Sequence, residues 1–187
     1  MAKTGYITTL SSDDEGKQIV SSIGMTVLLV SFSMLFATLF LGYAVFRASN
    51  QVWPPMGIDR VDLFTPAIST ALIFLSSVTY YFMESDFAKS QFSNSRVWYV
   101  LTILLGAGFI ISQFMLWAGM NEVGIFLNGG IFPSILYGFT WIHAAHMVMG
   151  MIALLIILPV LIDCKNEFKY RLRIKNVGKF WHFLGVV

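Results

Sequence analysis

Charged residues are scarce in this chain, and cysteine is almost absent. Of 187 residues only 12% are charged, against about 25% in a typical soluble domain. The single cysteine, Cys164, excludes an internal disulfide and a thiolate-rich metal site, because each needs a second thiol. The net charge of +2 is too small to indicate a nucleic-acid-binding protein. The first 17 residues lack an apolar centre, so no cleaved signal peptide is predicted.

Long apolar runs are what the chain does have. A transmembrane helix needs about 20 mostly apolar residues, and four uncharged segments meet that length, at roughly 19–46, 63–83, 97–120 and 134–162. A fifth apolar run begins at Phe180, and the sequence ends at Val187. We therefore predict an all-α integral membrane protein, with residues 1–187 in a single membrane domain. It has four complete transmembrane helices and the start of a fifth over 180–187.

Lysine and arginine are distributed unevenly between the two ends of these spans. Ten of the twelve lie in the N-terminal tail and in the connections after the second and fourth spans. Only Arg47 and Arg60 lie on the opposite side. Positively charged residues are retained on the cytoplasmic side, which predicts a cytoplasmic N-terminus in a bacterial inner membrane. We also expect Trp181, at the start of the fifth run, to lie at the membrane interface, where indoles are enriched.

Small and polar residues recur at helical spacing inside the first three spans. Since lipid offers polar groups no hydrogen-bond partner, such residues face other helices or a cavity. They therefore predict the faces on which the helices pack. The predicted faces are Gly24, Ser31, Thr38 and Gly42 in the first span, Ser69, Ser76 and Tyr80 in the second, and Gly106, Gln113 and Trp117 in the third.

Two histidines, His143 and His146, lie in the middle of the fourth apolar run. Residues three apart share one side of a helix, and Gly150 continues that side one turn later. A metal or haem site needs further ligands, and the complete spans offer none. They also offer no chain of titratable groups for a proton relay. A structural role, with neutral imidazoles hydrogen-bonded across a helix interface, is favoured. Its candidate partners are Gln113, Ser31, Thr38, Tyr80 or another protein.

Three short motifs occur in order along the chain: WPPMG, Trp53 to Gly57; HAAHMVMG, His143 to Gly150; and FWHF, Phe180 to Phe183. Together they resemble segments of subunit III of the haem-copper terminal oxidases. WPPMG, Trp53 to Gly57, resembles the family segment W-P-P-x-G. HAAHMVMG, His143 to Gly150, resembles H-G-x-H-x-x-x-G, and FWHF, Phe180 to Phe183, resembles the W-H-F entry to the last helix. Gln113 also matches a glutamine of the preceding family helix. The resemblance runs from about residue 18 to the end and corresponds to the five-helix form of the family.

The resemblance implies an accessory, non-catalytic subunit of an oxidoreductase complex of the cytochrome c oxidase or quinol oxidase type. Such a subunit has no redox cofactor or metal of its own. The haems and copper belong to the partner catalytic subunit I, which is assembled with subunit II and in some cases in a respiratory supercomplex. Family members sustain turnover, support proton uptake and hold lipids. On this view His143, His146, Gly150 and Gln113 order a helix interface and have no catalytic role.

A basic segment, Lys165 to Lys175, follows the fourth span. Basic residues near an anionic leaflet contribute about 1 kcal/mol each to lipid binding, although the same charges also serve as a topology signal. We expect Glu84 and Asp86, at the end of the second span, to be solvated. The candidate lipid contacts in the basic segment are Lys169, Arg171, Arg173 and Lys175.

Two positions that are usually acidic in the family hold other residues here. Phe32 stands where the run S-E-x-x-F-F has its glutamate, and Gly185 stands where W-H-F-x-D has its aspartate. These departures indicate a divergent branch, such as the subunit-III-like partner of a nitric-oxide reductase. A b-type cytochrome membrane anchor, with His143 or His146 as axial ligand, is an alternative of a different class. The electron donor, cytochrome c or quinol, and the acceptor, dioxygen or nitric oxide, stay open at this stage.

Overall fold

The computed structural model describes residues 12–51, 64–163 and 167–187, with side chains from 16 and 170 onwards in the first and last of these ranges. The described part contains only α-helices, and four of them, α1 to α4, are long and apolar enough to cross a membrane. This confirms the predicted all-α membrane fold. The assignment of residues 1–187 to one domain stays a prediction. The helices are α1 Ser12–Ser49, α2 Phe64–Ala88, α3 Phe92–Glu122, α4 Ile131–Asp163 and α5 Glu167–Val186.

The connection between α2 and α3 shows how a tight turn sets two helices side by side. Ser90 adopts a left-handed conformation with φ of 60°, and the Gln91 N–H donates to the Asp86 carbonyl at 2.9 Å. A left-handed residue followed by such a backbone bond ends a helix and satisfies its last carbonyls. Because the connection is short, α2 and α3 pack as antiparallel neighbours. The WPPMG motif that precedes α2 lies outside the described residues.

The fifth helix begins at Glu167, well before the apolar run at Phe180. Hydropathy marks only the part of a helix that is apolar, and lysine and arginine are themselves good helix formers. The described part of the basic segment is therefore helical. In this position α5 packs against α1, α2 and α4.

Trp181 lies at the centre of this packing and has no exposed surface. Its indole Nε1 donates to Ser76 Oγ of α2 at 3.1 Å. A Cβ added at Gly106 of α3 or Gly150 of α4 would come within 2.9 or 3.1 Å of the indole ring. The expectation that Trp181 lies at the membrane interface is therefore wrong. The earlier start of α5 places the indole inside the bundle, where Ser76 satisfies its N–H.

Hydroxyl pairs join α2 to α3, and a tyrosine joins α2 to α5. Thr79 and Thr102 hydrogen-bond through their hydroxyls at 2.8 Å, and the Tyr80 hydroxyl donates to the Ile174 carbonyl at 2.7 Å. The predicted face of the second span, with Ser69, Ser76 and Tyr80, is buried, which confirms it. The apolar core around these bonds consists of Ile73, Tyr80, Met83, Phe87, Tyr99, Phe109, Met147, Leu154, Ile157, Val160, Leu161, Ile174, Phe180, Trp181 and Leu184.

The first helix is the least enclosed part of the bundle. Among its described side chains only Phe36 is buried. A Cβ added at Gly24 or Gly42 would meet nothing within 4 Å. The hydroxyls of Ser31 and Thr38 donate to carbonyls of their own helix at 2.9 and 2.7 Å. Gly24 and Ser31 are exposed, whereas Thr38 and Gly42 line a groove with α4, so the close approach of another helix to the whole stripe stays a prediction.

Two arginines hydrogen-bond to the last carbonyls of neighbouring helices, on the side where α2 and α4 end. Arg96 donates from Nε to the Leu161 carbonyl and from Nη2 to the Ile162 carbonyl, both at 3.0 Å. Arg171 Nη2 donates to the Ala88 carbonyl at 3.1 Å. The last carbonyls of a helix lack partners within it and carry partial negative charge. These basic side chains therefore cap α4 and α2, a role that counting charges by loop does not reveal.

Candidate functional site at the histidine pair

The histidine pair of α4 lies against aromatic rings from other helices. The ring centroid of His146 is 4.4 Å from that of Phe32, edge to face, and 5.3 Å from that of Phe36. The ring of His143 lies 6.2 Å from Phe36 and 5.6 Å from Phe109 of α3. Both imidazoles therefore face the aromatic rings of α1, as two residues on one side of a helix should.

The two imidazoles differ in their hydrogen bonds. Nδ1 of His146 lies 2.7 Å from the Ile142 carbonyl of the preceding turn. Because a carbonyl only accepts, this Nδ1 carries a proton and donates the hydrogen bond. Nδ1 of His143 is buried and has no partner among the described residues. The predicted hydrogen bonds between helices stay a prediction. Three suggested partners bond to backbone carbonyls instead: Ser31, Thr38 and Tyr80.

The other two predicted site residues have separate surroundings. Gly150 contacts Trp181 and Leu184, so its lack of a side chain makes room for α5. Gln113 of α3 is only 6% exposed and lines a cavity together with His143. The structure therefore brings Gln113 near His143, whereas Gly150 belongs to the packing around the indole.

No cluster of three or more histidine, cysteine, aspartate or glutamate side chains that could hold a metal ion occurs in the described ranges. The imidazoles meet phenyl rings on α1 and α3, and such contacts stabilise packing without offering ligands. The two imidazoles therefore contribute to the packing of α4 against α1 and α3.

The two usually acidic family positions are accommodated in different ways. Phe32 fills its position with a ring packed edge-on against His146. At Gly185, an added Cβ would lie 2.9 Å from Ser77 Oγ, a buried hydroxyl with no partner among the described residues. A larger side chain at 185 therefore requires Ser77 to move. The sequence pointed to Phe32 and Gly185 but not to Ser77, whose position depends on how α2 meets α5.

The predicted lipid contacts are not equivalent. Arg171 donates to the Ala88 carbonyl, and the guanidinium of Arg173 lies 5.5 Å from the centre of the Tyr170 ring. Arg171, Arg173 and Lys175 are all exposed, and the side chain of Lys169 lies outside the described residues. Glu84 was expected to be solvated, and Asp86 with it, but both are half-buried.

Comparison with known proteins gives a consistent result. The family model for cytochrome c oxidase subunit III matches residues 12–187. Cytochrome c oxidase subunit 3 of Thermostichus vulcanus is 29% identical over 170 residues, which cover 88% of this chain and 81% of the relative. The Corynebacterium diphtheriae protein of the same name is 30% identical over 169 residues, covering 89% and 82%.

A third relative comes from a quinol-oxidising enzyme. Cytochrome bo(3) ubiquinol oxidase subunit 3 of Pseudomonas putida is 28% identical over 174 residues, which cover 93% of this chain and 83% of the relative. The family match and these relatives bear out the resemblance carried by the histidine pair, Gln113 and the W-H-F motif. The chain therefore belongs to the cytochrome c oxidase subunit III family.

Proposed function

We propose that this chain is the accessory, cofactor-free subunit III of a proton-pumping haem-copper terminal oxidase in a bacterial inner membrane. The observation that carries the proposal is the family match over residues 12–187. Haems and copper belong to its partner, catalytic subunit I, which is assembled with subunit II. The N-terminus faces the cytoplasm, in agreement with the ten lysines and arginines on that side.

The packing of the polar side chains supports a scaffold role. Thr79, Tyr80 and Trp181 each place a polar atom in a hydrogen bond to a neighbouring helix. Groups used in this way hold helices in register. A rigid bundle that binds the folded catalytic subunit, and not its unfolded form, stabilises that subunit by mass action. In this way the chain sustains turnover and keeps the proton-uptake region of its partner in order.

Purification of the complex tests the proposal. A tag on the N-terminus, in membranes solubilised with a mild detergent, is expected to recover a haem-copper catalytic subunit and subunit II. Membranes that contain the untagged chain are the control. Recovery of the tagged, folded chain without any haem-copper subunit would refute the proposal.

The same complex tests the finer role. Oxidase rebuilt without this chain is expected to lose activity during turnover and to take up protons more slowly than the intact complex. Equal lifetimes of activity during turnover and equal rates of proton uptake, with and without this chain, would refute the supporting role. Oxidation of cytochrome c or of quinol identifies the electron donor. Consumption of dioxygen or of nitric oxide separates a terminal oxidase from the nitric-oxide reductase alternative.

Lipid retention is a further part of the proposed role. Arg171, Arg173 and Lys175 are exposed basic side chains, and we propose that they contact anionic lipid together with Lys169, which precedes them in the chain. Each basic group near an anionic surface contributes about 1 kcal/mol. Arg171 contributes less, because its guanidinium also caps α2.

A further inference from the structure

The loop between α3 and α4, residues 123–130, exposes apolar side chains and carries no charge. Val123, Phe126 and Leu127 are each more than half exposed, as is Ile131 at the start of α4. The turn between α2 and α3, residues 89–91, instead exposes a lysine, a serine and a glutamine. Connections that face water are usually built from polar residues. The α3–α4 loop therefore lacks the composition of a connection that faces water.

The end of α3 satisfies its own backbone groups. Gly124 adopts a left-handed conformation with φ of 78°, and its N–H donates to the Asn121 carbonyl at 3.1 Å. The Ile125 N–H donates to the Met120 carbonyl at 2.9 Å, and both side chains are buried in one cluster. These two bonds form the Schellman motif, which gives partners to the last carbonyls of a helix. The helix therefore ends without needing water at these carbonyls.

Side chains of α4 satisfy carbonyls of the loop itself. The Tyr137 hydroxyl donates to the Ile125 carbonyl at 3.0 Å, and the Ser134 hydroxyl lies 2.9 Å from the Leu127 carbonyl. The Phe126 carbonyl accepts the N–H three residues later, also at 2.9 Å. Where water is scarce, backbone polar groups need such partners within the protein. The loop thus combines apolar side chains on its outside with carbonyls that are bonded on its inside.

The length of α4 places the loop in an outer layer of the bilayer. Its 33 residues span about 50 Å, or about 47 Å at an average tilt of about 20°. A bilayer with its headgroups is about 40 to 45 Å thick. Asp163 at the far end of α4 and Arg96, which caps that end, are charged and belong in one headgroup layer. The end of α4 beside the loop then reaches the headgroup layer of the opposite leaflet.

We propose that the α3–α4 loop is embedded in this leaflet, with Phe126 and Leu127 in contact with lipid acyl chains. A lipid surface accepts apolar side chains and needs neither charges nor free carbonyls from the protein. A folded protein partner is usually positioned by complementary charges and hydrogen bonds, and the loop has no charge and several carbonyls that are already bonded. The exposed Asn128 amide suits the headgroups beside the apolar side chains. This inference does not depend on the partner subunits.

Spin labelling of the intact complex in liposomes tests the proposal. In a Cys164→Ser background, nitroxide labels are attached to Phe126→Cys and to Leu127→Cys. Met115→Cys, on a face of α3 with 66% exposure, is the lipid standard, and Gln91→Cys, in the polar α2–α3 turn, is the water standard. Collision rates are measured with molecular oxygen, which dissolves in acyl chains, and with a neutral, water-soluble nickel chelate.

The two collision rates distinguish lipid, water and protein surroundings. We expect the nickel chelate to reach the labels at 126 and 127 at least about fivefold less than the label at 91, because polar solutes enter apolar surroundings poorly. Oxygen should reach them as readily as the label at 115. Labels that the chelate reaches as well as it does at 91 lie in water and overturn the proposal. Labels shielded from both reagents are covered by protein and overturn it as well. Val123→Cys replaces either variant if that variant does not assemble.

Discussion

Replacing Trp181 with alanine is expected to lower the free energy of unfolding by about 3 to 5 kcal/mol, the cost of removing a fully buried tryptophan. The indole fills the space left by Gly106 and Gly150, so its loss opens a cavity among four helices. Removing the indole N–H also leaves Ser76 with one bond fewer. The measurement is unfolding of the purified chain in mixed micelles of increasing SDS content.

Two variants separate packing from other effects. Trp141→Ala removes an indole that is 59% exposed and should change stability by less than about 0.5 kcal/mol. Trp181→Phe keeps most of the ring volume but loses the bond to Ser76, for which about 0.6 to 1.7 kcal/mol is expected. A Trp181→Ala chain within about 1 kcal/mol of the original would show that the indole does not hold α5 in place.

Replacing Phe32 with glutamate is expected to destabilise the chain less when His146 is present than when it is replaced. A charged group near the middle of a membrane helix costs about 2.5 to 3.5 kcal/mol. The Phe32 ring lies 4.4 Å from that of His146, so a glutamate there reaches the imidazole. Nδ1 of His146 donates to Ile142, which leaves Nε2 to share a proton with the carboxyl group.

A double-mutant cycle measures this coupling. Phe32→Glu should cost at least about 1 kcal/mol less in the original chain than in His146→Phe. Unfolding in mixed micelles gives both values. Equal losses in the two backgrounds would show that position 32 and His146 do not interact, and would remove the structural link between this family position and the histidine pair.

The sequence predicted the spans because apolar length is a direct requirement of the bilayer. It missed the start of α5, since a basic helix has no hydropathy signal to distinguish it from a loop. It also misplaced Trp181, because an indole at the start of an apolar run is typical of the membrane interface. The helix that carries Trp181 begins at Glu167, so the indole lies well inside that helix. Local composition was informative about membrane segments, and less so about which helix a side chain meets.

The histidine pair also shows what the sequence could predict and what it could not. Spacing alone placed His143 and His146 on one side of α4. Their different surroundings come from Phe32 and Phe36, which lie more than a hundred positions earlier in the chain, and from Phe109 of α3. Contacts between residues so distant in sequence depend on how the helices assemble. Periodicity within one helix cannot predict them.

The central claim is that the buried polar groups of this chain serve contacts between helices and bind no redox centre. The absorption spectrum of the chain separated from its complex tests this most directly. We expect no haem band in the separated chain, with all haem remaining in the catalytic subunit. A haem band that stays with the chain and disappears in His143→Leu or His146→Leu would contradict the account and favour the b-type cytochrome anchor.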